Sequence, residues 1–325
     1  MDMSGFQEEL IIWLQGGGEW LMGSMRFFSF LGDGPLYVLI AAFIYWCVDR
    51  RFGARVFLVL IISAGVNSLL KGAIHAPRPY WVNEQITGVT KHASFGMPSG
   101  HSQSAASFMS AVAATVQVKW VYFSAAFFIL LVGFSRIVMG VHYPSQVLVG
   151  FSVGLLVTFS FLNVEERIAR LMDESPLGIQ IGAVLGFSAI ILGFGVLLFS
   201  SLSHFRFPSS WVENAPDSFS ARNLATPISL SNVISTMGAI CGFGLGLVLE
   251  KQKGGHSTEG SWRQKSIRML LGSAVLFGLW KLPGLYRPEG HMVAHMYLFL
   301  GATLPGFWIS GPAPLLFGFL ERRLD

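Results

Sequence analysis

Three short blocks of the sequence combine histidines with cations: Lys71–Pro79 (KGAIHAPRP), Pro98–His101 (PSGH) and Ser135–His142 (SRIVMGVH). The residues in them that could do chemistry are Lys71, Arg78, Ser99, Gly100, His101, Arg136 and His142. The Ser-Gly pair begins an apolar run, and the free backbone N–H groups at a helix start favour an anion. Arginines bind phosphate oxygens in a bidentate manner, and two imidazoles can supply a nucleophile and an acid. The blocks therefore indicate a phosphate site.

The elements that position these blocks are apolar enough to cross a membrane. Of the 325 residues, 52% are hydrophobic and 12% are charged, whereas about 25% are charged in an ordinary soluble domain. Apolar segments near the length of a membrane span are 35–48, 55–72, 101–118, 120–138, 143–162, 178–200, 225–250, 268–286 and 291–319. We therefore predict an all-α fold, a polytopic transmembrane helix bundle of about eight to ten spans.

Two interruptions divide the chain into three parts. Gly16–Gly18 breaks the first apolar stretch, so residues 1–33 are expected to form interfacial or short transmembrane helices. The polar stretch 163–176 separates residues 34–165, which contain all three blocks, from a C-terminal transmembrane extension at 176–325. The site residues therefore belong to the middle part of the chain.

Span counting brings the three blocks to one face of the membrane. The span 55–72 ends on the side where 101–118 begins, and 120–138 ends on the side where 143–162 begins. Basic residues concentrate on the opposite side, at Arg50, Arg51, Arg55, Lys119, Arg167, Arg170, Lys251, Lys253, Arg263, Lys265, Arg268, Arg322 and Arg323. Because cytoplasmic loops are enriched in Lys and Arg, we expect the blocks on the non-cytoplasmic face of an inner or plasma membrane.

Other sequence signals argue against several classes of protein. Cys47 and Cys241 lie in apolar runs, and no Cys/His spacing indicates zinc. The net charge of +4 comes without a basic stripe, so nucleic acid is not an expected partner. The N-terminus lacks the pattern of a cleaved signal peptide. We expect no metal and no cofactor; the expected partners are membrane lipids and a phosphorylated substrate.

Several further residues have both a chemical and a structural interpretation, and the structural one is favoured. His75 is interpreted as local packing. His291 and His295 are one helical turn apart but lack further ligands, which favours an interfacial role over a metal site. Loop residues interpreted as solvated, with substrate contact as the alternative, are Asn83, Glu84, Lys91, His204, Arg206 and Arg222. For the cations of the three blocks, the alternative to phosphate binding is snorkelling to the interface.

In this order, the blocks resemble the three signature blocks of the type 2 phosphatidic acid phosphatase (PAP2) superfamily. The resemblance rests on Lys71…Arg78-Pro79, Pro98-Ser99-Gly100-His101 and Ser135-Arg136…His142, and it covers roughly residues 30–162. That superfamily includes lipid phosphate phosphatases, polyprenyl diphosphate phosphatases, glucose-6-phosphatase and vanadium haloperoxidases. The resemblance implies a PAP2-type catalytic core within residues 34–165.

The resemblance also implies a role for each site residue. His142 attacks phosphorus and forms a phosphohistidine, and His101 protonates the leaving oxygen. The residues that hold the phosphoryl oxygens are Lys71, Arg78, Ser99, Gly100 and Arg136. The membrane phosphatases of this family need no metal, because the cations stabilise the transition state.

One position departs from the family pattern. The family usually has Asp four residues after the nucleophilic histidine, whereas this sequence has Gln146. A Gln oxygen accepts the same hydrogen bond and orients the ring, but it supplies no charge. We therefore expect an oriented nucleophile with a less basic ring. Glucose-6-phosphatases also carry Gln at this position.

The sequence leaves three functions open. The favoured one is hydrolysis of a lipid phosphate or polyprenyl diphosphate through a phosphohistidine intermediate. The second is glucose-6-phosphatase-like hydrolysis of a sugar phosphate, to which Gln146 points. The third is a catalytically silent membrane protein that binds or moves phospholipid. A vanadium haloperoxidase is disfavoured because those relatives are soluble. The oligomeric state is not specified by the sequence.

Overall fold

The computed structural model of the protein describes residues 3–215, 227–286 and 291–324. The regular elements within these ranges are helices. They are α1 (Met3–Gln15), α2 (Gly18–Leu31), α3 (Gly34–Cys47), α4 (Arg50–Ile74), α5 (Pro79–Val82), α6 (Gly100–Val116), α7 (Lys119–Val138), α8 (Pro144–Glu174), α9 (Leu177–Ser201), α10 (Ser209–Asn214), α11 (Ser231–Gln252), α12 (Trp262–Leu285), α13 (His291–Ser310) and α14 (Pro312–Leu324). The prediction of an all-α fold is confirmed.

Six helical segments in the described part of the chain are long and apolar enough to cross a membrane. They are Arg50–Val82, Lys119–Val138, Pro144–Glu174, Leu177–Ser201, Ser231–Gln252 and Met292–Arg322. The bent pair α2 and α3, with 44° between its helices, makes seven if it counts as one span. Predicted spans missing from this set include α6, which has only 17 residues, and α12, which carries three cations in its first two turns. The chain is an integral membrane protein, with fewer long apolar helices than the sequence predicts.

The chain divides into two compact units, and the three blocks lie in the first. The described residues of the first unit fall within Met1–Tyr37, Val66–Ser160 and Val196–Leu230. Those of the second unit fall within Val38–Gly65, Phe161–Gly195 and Ser231–Asp325.

Close helix packing shapes the first unit. A Cβ atom built on Gly150 of α8 would lie 2.7 Å from the carbonyl oxygen of Ser99, at the start of α6. One side chain of α6 also hydrogen-bonds to α8, from Ser110 Oγ to Thr158 Oγ1 at 3.0 Å. Small residues allow this approach, as is common between membrane helices. The contact fixes the second block against the helix that follows the third.

The second unit carries ion pairs at its polar helix ends. Arg50 pairs with the buried Glu250 at 3.0 Å, and Arg268 pairs with Glu321 at 2.7 Å. The helix α8 continues through the stretch 163–174, which the sequence analysis treats as a polar boundary. Two of its acidic residues there form ion pairs, Glu165 with Arg55 and Glu166 with Arg51.

Candidate active site

The first block leaves α4 and enters the short helix α5. Lys71 lies in the last turn of α4. Arg78 precedes Pro79 and is extended (φ −91°, ψ 155°), because a residue before proline is excluded from the helical region. Both side chains reach the loop before α6: Lys71 Nζ donates to the carbonyl of Phe95, and Arg78 Nε donates to the carbonyl of Ser94 at 2.7 Å. The two cations are thereby held side by side.

Arg78 joins the first block to the third. Its Nη1 donates to the carbonyl of Val141 at 3.0 Å and lies 3.2 Å from Nε2 of His142. Its Nη2 donates to Ser94 Oγ at 3.0 Å. A side chain that is 2% exposed thus contacts the histidine that the sequence analysis assigns as the nucleophile.

The spacing of the third block follows from the way α7 ends. Gly140 adopts φ +67°, a conformation that glycine reaches without the steric cost of a side chain. The N–H groups of Val141 and His142 then both return to the carbonyl of Arg136, at 3.2 and 3.3 Å. A Cβ atom at Gly140 would lie 2.5 Å from the carbonyl oxygen of Thr87. This turn places His142 directly after the helix that carries Arg136.

The hydrogen bonds of His142 determine its tautomer. Nδ1 lies 3.1 Å from Oε1 of Gln146, and the amide is oriented because its Nε2 donates to the carbonyl of Pro77 at 2.7 Å. Arg78 has only donors, so the ring nitrogen that faces it, Nε2, must carry the lone pair. Burial, followed by the positive charges of Arg78 and Lys71, lowers the pKa of His142 well below its ordinary value of 6.5. The ring is a neutral imidazole with its lone pair in the site.

The second block is anchored from both sides. Ser99 is fully buried and precedes α6 as its N-cap, and its N–H donates to the carbonyl of Gln146 at 3.0 Å. Asn67, one turn before Lys71 on α4, donates to the carbonyl of Pro98 at 3.2 Å. Gly100 opens α6 in the same place. The N-terminus of α6 therefore lies next to the cations and to the partner of His142.

His101 and Arg136 each contact a residue that the sequence analysis does not single out. His101 Nε2 lies 2.7 Å from Oδ1 of Asp33, in the turn between α2 and α3. Arg136 Nη2 lies 3.1 Å from Nε2 of His92, and Arg136 also donates to Ser29. The rings of His92 and His101 are 6.4 Å apart. These contacts and ring distances bring the seven predicted site residues and Gln146 into one region of the first unit.

His92 is a third histidine in this site, in the loop between the first two blocks. Because arginine only donates, Nε2 of His92 accepts from Arg136. Burial, followed by the positive charges of Arg78 and Arg136, lowers the pKa of His92. A histidine one residue after Lys91 carries no spacing signal, which is why the sequence pattern does not identify it.

The site has an excess of buried positive charge. Lys71, Arg78 and Arg136 are 8%, 2% and 1% exposed. Within the described residues, none of the three forms an ion pair with a carboxylate. The Nε of Arg136 is buried without a hydrogen-bond partner. Buried charges are costly unless compensated, so the arrangement favours a bound anion as the compensating charge. Snorkelling cations would instead be exposed at their ends.

The remaining candidates take part in packing or polar contacts, or are exposed. His75 packs between Phe95 and Phe205, with ring centroids 5.9 and 5.3 Å away. Asn83 donates to Glu8 at 2.9 Å, and Lys91 lies over the ring of Tyr80 at 5.0 Å. The exposed ones are Glu84, His204 and Arg206. Arg222 and the side chain of His291 lie outside the described residues. No cluster of three metal-ligating side chains occurs in the part of the chain that the structure describes.

Family sequence models and individual relatives both identify the same family. A sequence model of the PAP2 superfamily matches residues 52–170, and one of the PAP2 superfamily phosphatase transmembrane extension matches residues 234–323. The chain is 32% identical over 168 residues to phosphatidylglycerophosphatase B of Bacillus subtilis (strain 168), a match covering 48% of this chain and 80% of that protein. It is 29% identical over 165 residues to human (Homo sapiens) glucose-6-phosphatase 3, covering 43% of this chain and 48% of that protein.

A solved structure is also similar. The crystal structure of the transmembrane PAP2 type phosphatidylglycerolphosphate phosphatase from Bacillus subtilis gives a TM-score of 0.43 at 30% identity. It covers 50% of this chain and 86% of that one. The 32% identity over 80% of phosphatidylglycerophosphatase B, together with the two family matches, shows that the chain belongs to the PAP2 superfamily and is a membrane phosphatase.

Proposed function

We propose that the protein hydrolyses a phosphorylated lipid, either a lipid phosphomonoester or the terminal phosphate of a polyprenyl diphosphate, through a phosphohistidine on His142. The observation that carries this proposal is the set of buried cations, Lys71, Arg78 and Arg136, which lack carboxylate partners within the described residues. A phosphate dianion supplies the missing negative charge. The neutral His142, with its Nε2 lone pair beside Arg78, is oriented to attack the phosphorus of that anion.

The first step forms a bond between Nε2 of His142 and phosphorus and breaks the bond from phosphorus to the leaving oxygen. His101 gives a proton to that oxygen, so the lipid alcohol or the shorter phosphate leaves in protonated form. The cations hold the phosphoryl oxygens as negative charge shifts in the transition state, which is electrostatic preorganisation. The hydroxyl of Ser99 and the N–H of Gly100, at the start of α6, add donors to the phosphoryl oxygens.

The second step regenerates the enzyme. Water attacks phosphorus and transfers a proton to His101, which is now neutral and acts as a base. The bond from phosphorus to Nε2 breaks, inorganic phosphate leaves, and His142 returns to the neutral tautomer. Through both steps, Gln146 keeps the Nδ1 proton in place by accepting its hydrogen bond.

A lipid is favoured over a soluble ester because the chain is an integral membrane protein. The site residues lie at the ends of α4 and α7 and at the starts of α6 and α8, where a head group in the interface can reach them while its hydrocarbon stays in the bilayer. The relative phosphatidylglycerophosphatase B is named for a lipid phosphate. The proposal places the site on the non-cytoplasmic face.

A sugar phosphate is the second candidate, and one observation favours it. Gln146 takes the position at which glucose-6-phosphatases also carry Gln, and the chain is similar to glucose-6-phosphatase 3 over part of its length. A sugar phosphate is soluble and would reach the site from the aqueous side.

A panel of substrates separates the candidates. The purified protein is assayed with phosphatidic acid, a polyprenyl diphosphate and glucose 6-phosphate, alongside a His142→Ala variant. We expect release of inorganic phosphate from a lipid substrate and a loss of at least about 10³-fold in the variant. If glucose 6-phosphate alone is cleaved, the second candidate is correct. If none of the three is cleaved and the variant equals the wild type, the protein is a silent lipid-binding member.

The covalent intermediate has its own test. Rapid acid-free quenching of a reaction with a ³²P-labelled substrate should trap a phosphoprotein that is stable to base and labile to acid. That label should be absent from His142→Ala. Vanadate, which adopts the five-coordinate geometry of the transition state, should inhibit. A phosphoprotein that persists in His142→Ala would move the nucleophile to another residue.

A further inference from the structure

A carboxylate from outside the three blocks reaches the acid of the site. Asp33 precedes α3, and its carbonyl accepts from the N–H groups of Leu36 and Tyr37 at 3.1 and 3.3 Å. The backbone of this residue is therefore fixed by the first turn of α3. Its Oδ1 lies 2.7 Å from Nε2 of His101. The Asp33 side chain is 43% exposed and that of His101 is 22% exposed, so the pair lies at the mouth of the site.

The two histidines of the mechanism have partners of opposite character. His142 contacts the neutral amide of Gln146 and the positive Arg78, which both favour a neutral ring. His101 contacts a carboxylate, which stabilises an imidazolium. Environments that separate the proton affinities of two groups also assign them the roles of base and acid.

We propose that Asp33 is a positioning residue that fixes the tautomer of His101 and stabilises its protonated form for acid catalysis. The inference rests on the proposed role of His101 as the general acid. In this protein the carboxylate, Asp33, lies beside the proposed acid His101, while the proposed nucleophile His142 has the neutral partner Gln146.

Proton transfer is balanced in this arrangement. The imidazolium of His101 donates Nε2–H to Asp33 and gives the Nδ1 proton to the leaving oxygen as its bond to phosphorus breaks. The neutral ring keeps its Nε2–H on Asp33, so the lone pair resides on Nδ1. That same nitrogen takes the proton from the attacking water in the second step. Asp33 holds the ring in one orientation throughout and is not itself protonated, as in other carboxylate–histidine pairs.

The surroundings of His101 explain why it needs a carboxylate. Arg136 of α7 and Arg78 lie within electrostatic range, and the ring of His92 lies 6.4 Å away. Burial and these cations oppose an imidazolium at His101, whereas Asp33 and the negative charge of a bound phosphate stabilise one. Asp33 is the carboxylate that pairs with His101 within the described residues.

The experiment uses two phosphomonoesters that differ in leaving group, n-octyl phosphate and p-nitrophenyl phosphate, with the purified full chain. An alkoxide must be protonated to leave, whereas p-nitrophenolate leaves without a proton. For Asp33→Asn we expect kcat/KM with octyl phosphate to fall roughly 10²-fold and kcat/KM with p-nitrophenyl phosphate to change by less than about threefold, because kcat/KM includes departure of the leaving group and excludes the later hydrolysis of the phosphohistidine. The basic limb of the kcat/KM profile with octyl phosphate should move to lower pH, because loss of the carboxylate makes the imidazolium less stable.

Matched variants make the result decisive. Asp33→Glu should retain most activity, and Glu19→Gln, an exposed carboxylate on α2, should equal the wild type. His101→Ala should show the same dependence on leaving group, and adding Asp33→Asn to it should cost nothing further. If His101→Ala lowers kcat/KM equally for both substrates, the proposed acid is wrong. The inference about Asp33 is overturned if His101→Ala shows the dependence on leaving group but neither Asp33→Asn nor Asp33→Ala does. It is also overturned if these Asp33 variants lower kcat/KM equally for both substrates while the thermal midpoint stays unchanged.

Discussion

The ring of His142 has a neutral partner at one nitrogen and a positive partner at the other, and each affects the ring differently. The amide of Gln146 is held by the carbonyl of Pro77, so only its oxygen can face Nδ1. Arg78 faces the other nitrogen, Nε2, and because arginine only donates hydrogen bonds, that nitrogen carries the lone pair. The tautomer is thus set by two residues that are far apart in sequence, and the charge of the ring is set by the cations around it.

Replacing Gln146 by Leu tests the tautomer. The substitution keeps the bulk of the side chain and removes the acceptor for Nδ1–H, so the ring can adopt the tautomer that cannot attack. We expect kcat to fall at least about tenfold with little change in KM, because binding rests on the cations. Steady-state kinetics measures this. The control is Gln252→Leu, at an exposed position near the end of α11. An unchanged kcat in Gln146→Leu would show that the tautomer is set elsewhere.

The lowered pKa of His142 predicts the acid side of the pH profile. A lowered pKa means that the neutral, reactive ring persists as pH falls below 6.5 and is lost only at a lower pH. The acid limb of kcat/KM, corrected for the ionisation of the substrate, should therefore lie below pH 6.5. In Gln146→Asp the added carboxylate favours the imidazolium, so the limb should move upward by about one pH unit. A limb that stays in place would mean that it does not report His142.

At the scale of helices, the close approach of α6 and α8 fixes the second block. In Gly150→Ala, the new Cβ would lie 2.7 Å from the carbonyl oxygen of Ser99, so the start of α6 must shift. We expect a loss of roughly 1–3 kcal/mol in stability together with a loss of activity. Gly182→Ala on α9 is the matched control, because its Cβ meets nothing within 4 Å. Thermal unfolding in detergent, followed by activity, distinguishes the two; equal midpoints would contradict the tight packing.

At the scale of helices, the sequence correctly predicts the features that local residue patterns determine. Apolar runs predict helices, and counting them predicts that the three blocks meet. The first and third blocks do so where Arg78 lies 3.2 Å from His142, and the N–H of Ser99 in the second donates to the carbonyl of Gln146 at 3.0 Å. Asp33 and His92 were not predicted, because their contacts are made across 68 and 44 residues of sequence and neither belongs to a spacing pattern. The polar stretch 163–174 is helical as the continuation of α8, and Glu165 and Glu166 in it pair with Arg55 and Arg51. The domain boundary at that stretch stays a prediction.

At the scale of the whole molecule, orientation in the membrane depends on how many helices cross it. Between the loop before α6 and the loop after α11, the described part of the chain passes through α6, α7, α8, α9, the six-residue α10 and α11. Four of these are long and apolar enough to span. The helix α6 has 17 residues, about 25 Å at 1.5 Å per residue, which is the short limit for crossing. If those four helices each cross, the number of crossings among the described helices is odd only if α6 crosses too.

Cysteine labelling determines both the orientation of the protein in the membrane and whether the number of crossings is odd or even. Cys47 and Cys241 are buried, so an introduced, exposed cysteine is labelled against a low background. We expect Glu84→Cys, in the loop before α6, to react with a membrane-impermeant maleimide in intact cells. Lys253→Cys, after α11, should react only once the membrane is opened, because the loops on that side carry the basic residues that mark the cytoplasm.

The other outcomes are equally informative. Labelling of both positions from outside would show that α6 turns back without crossing, and the cationic site would then lie at a re-entrant helix. The reverse pattern, with Lys253→Cys outside and Glu84→Cys inside, would place the phosphatase site on the cytoplasmic face. A lipid substrate would then have to present its phosphate to the cytoplasm, so the same substrate panel applied to sealed vesicles of known orientation would give activity only when the substrate is supplied on that side.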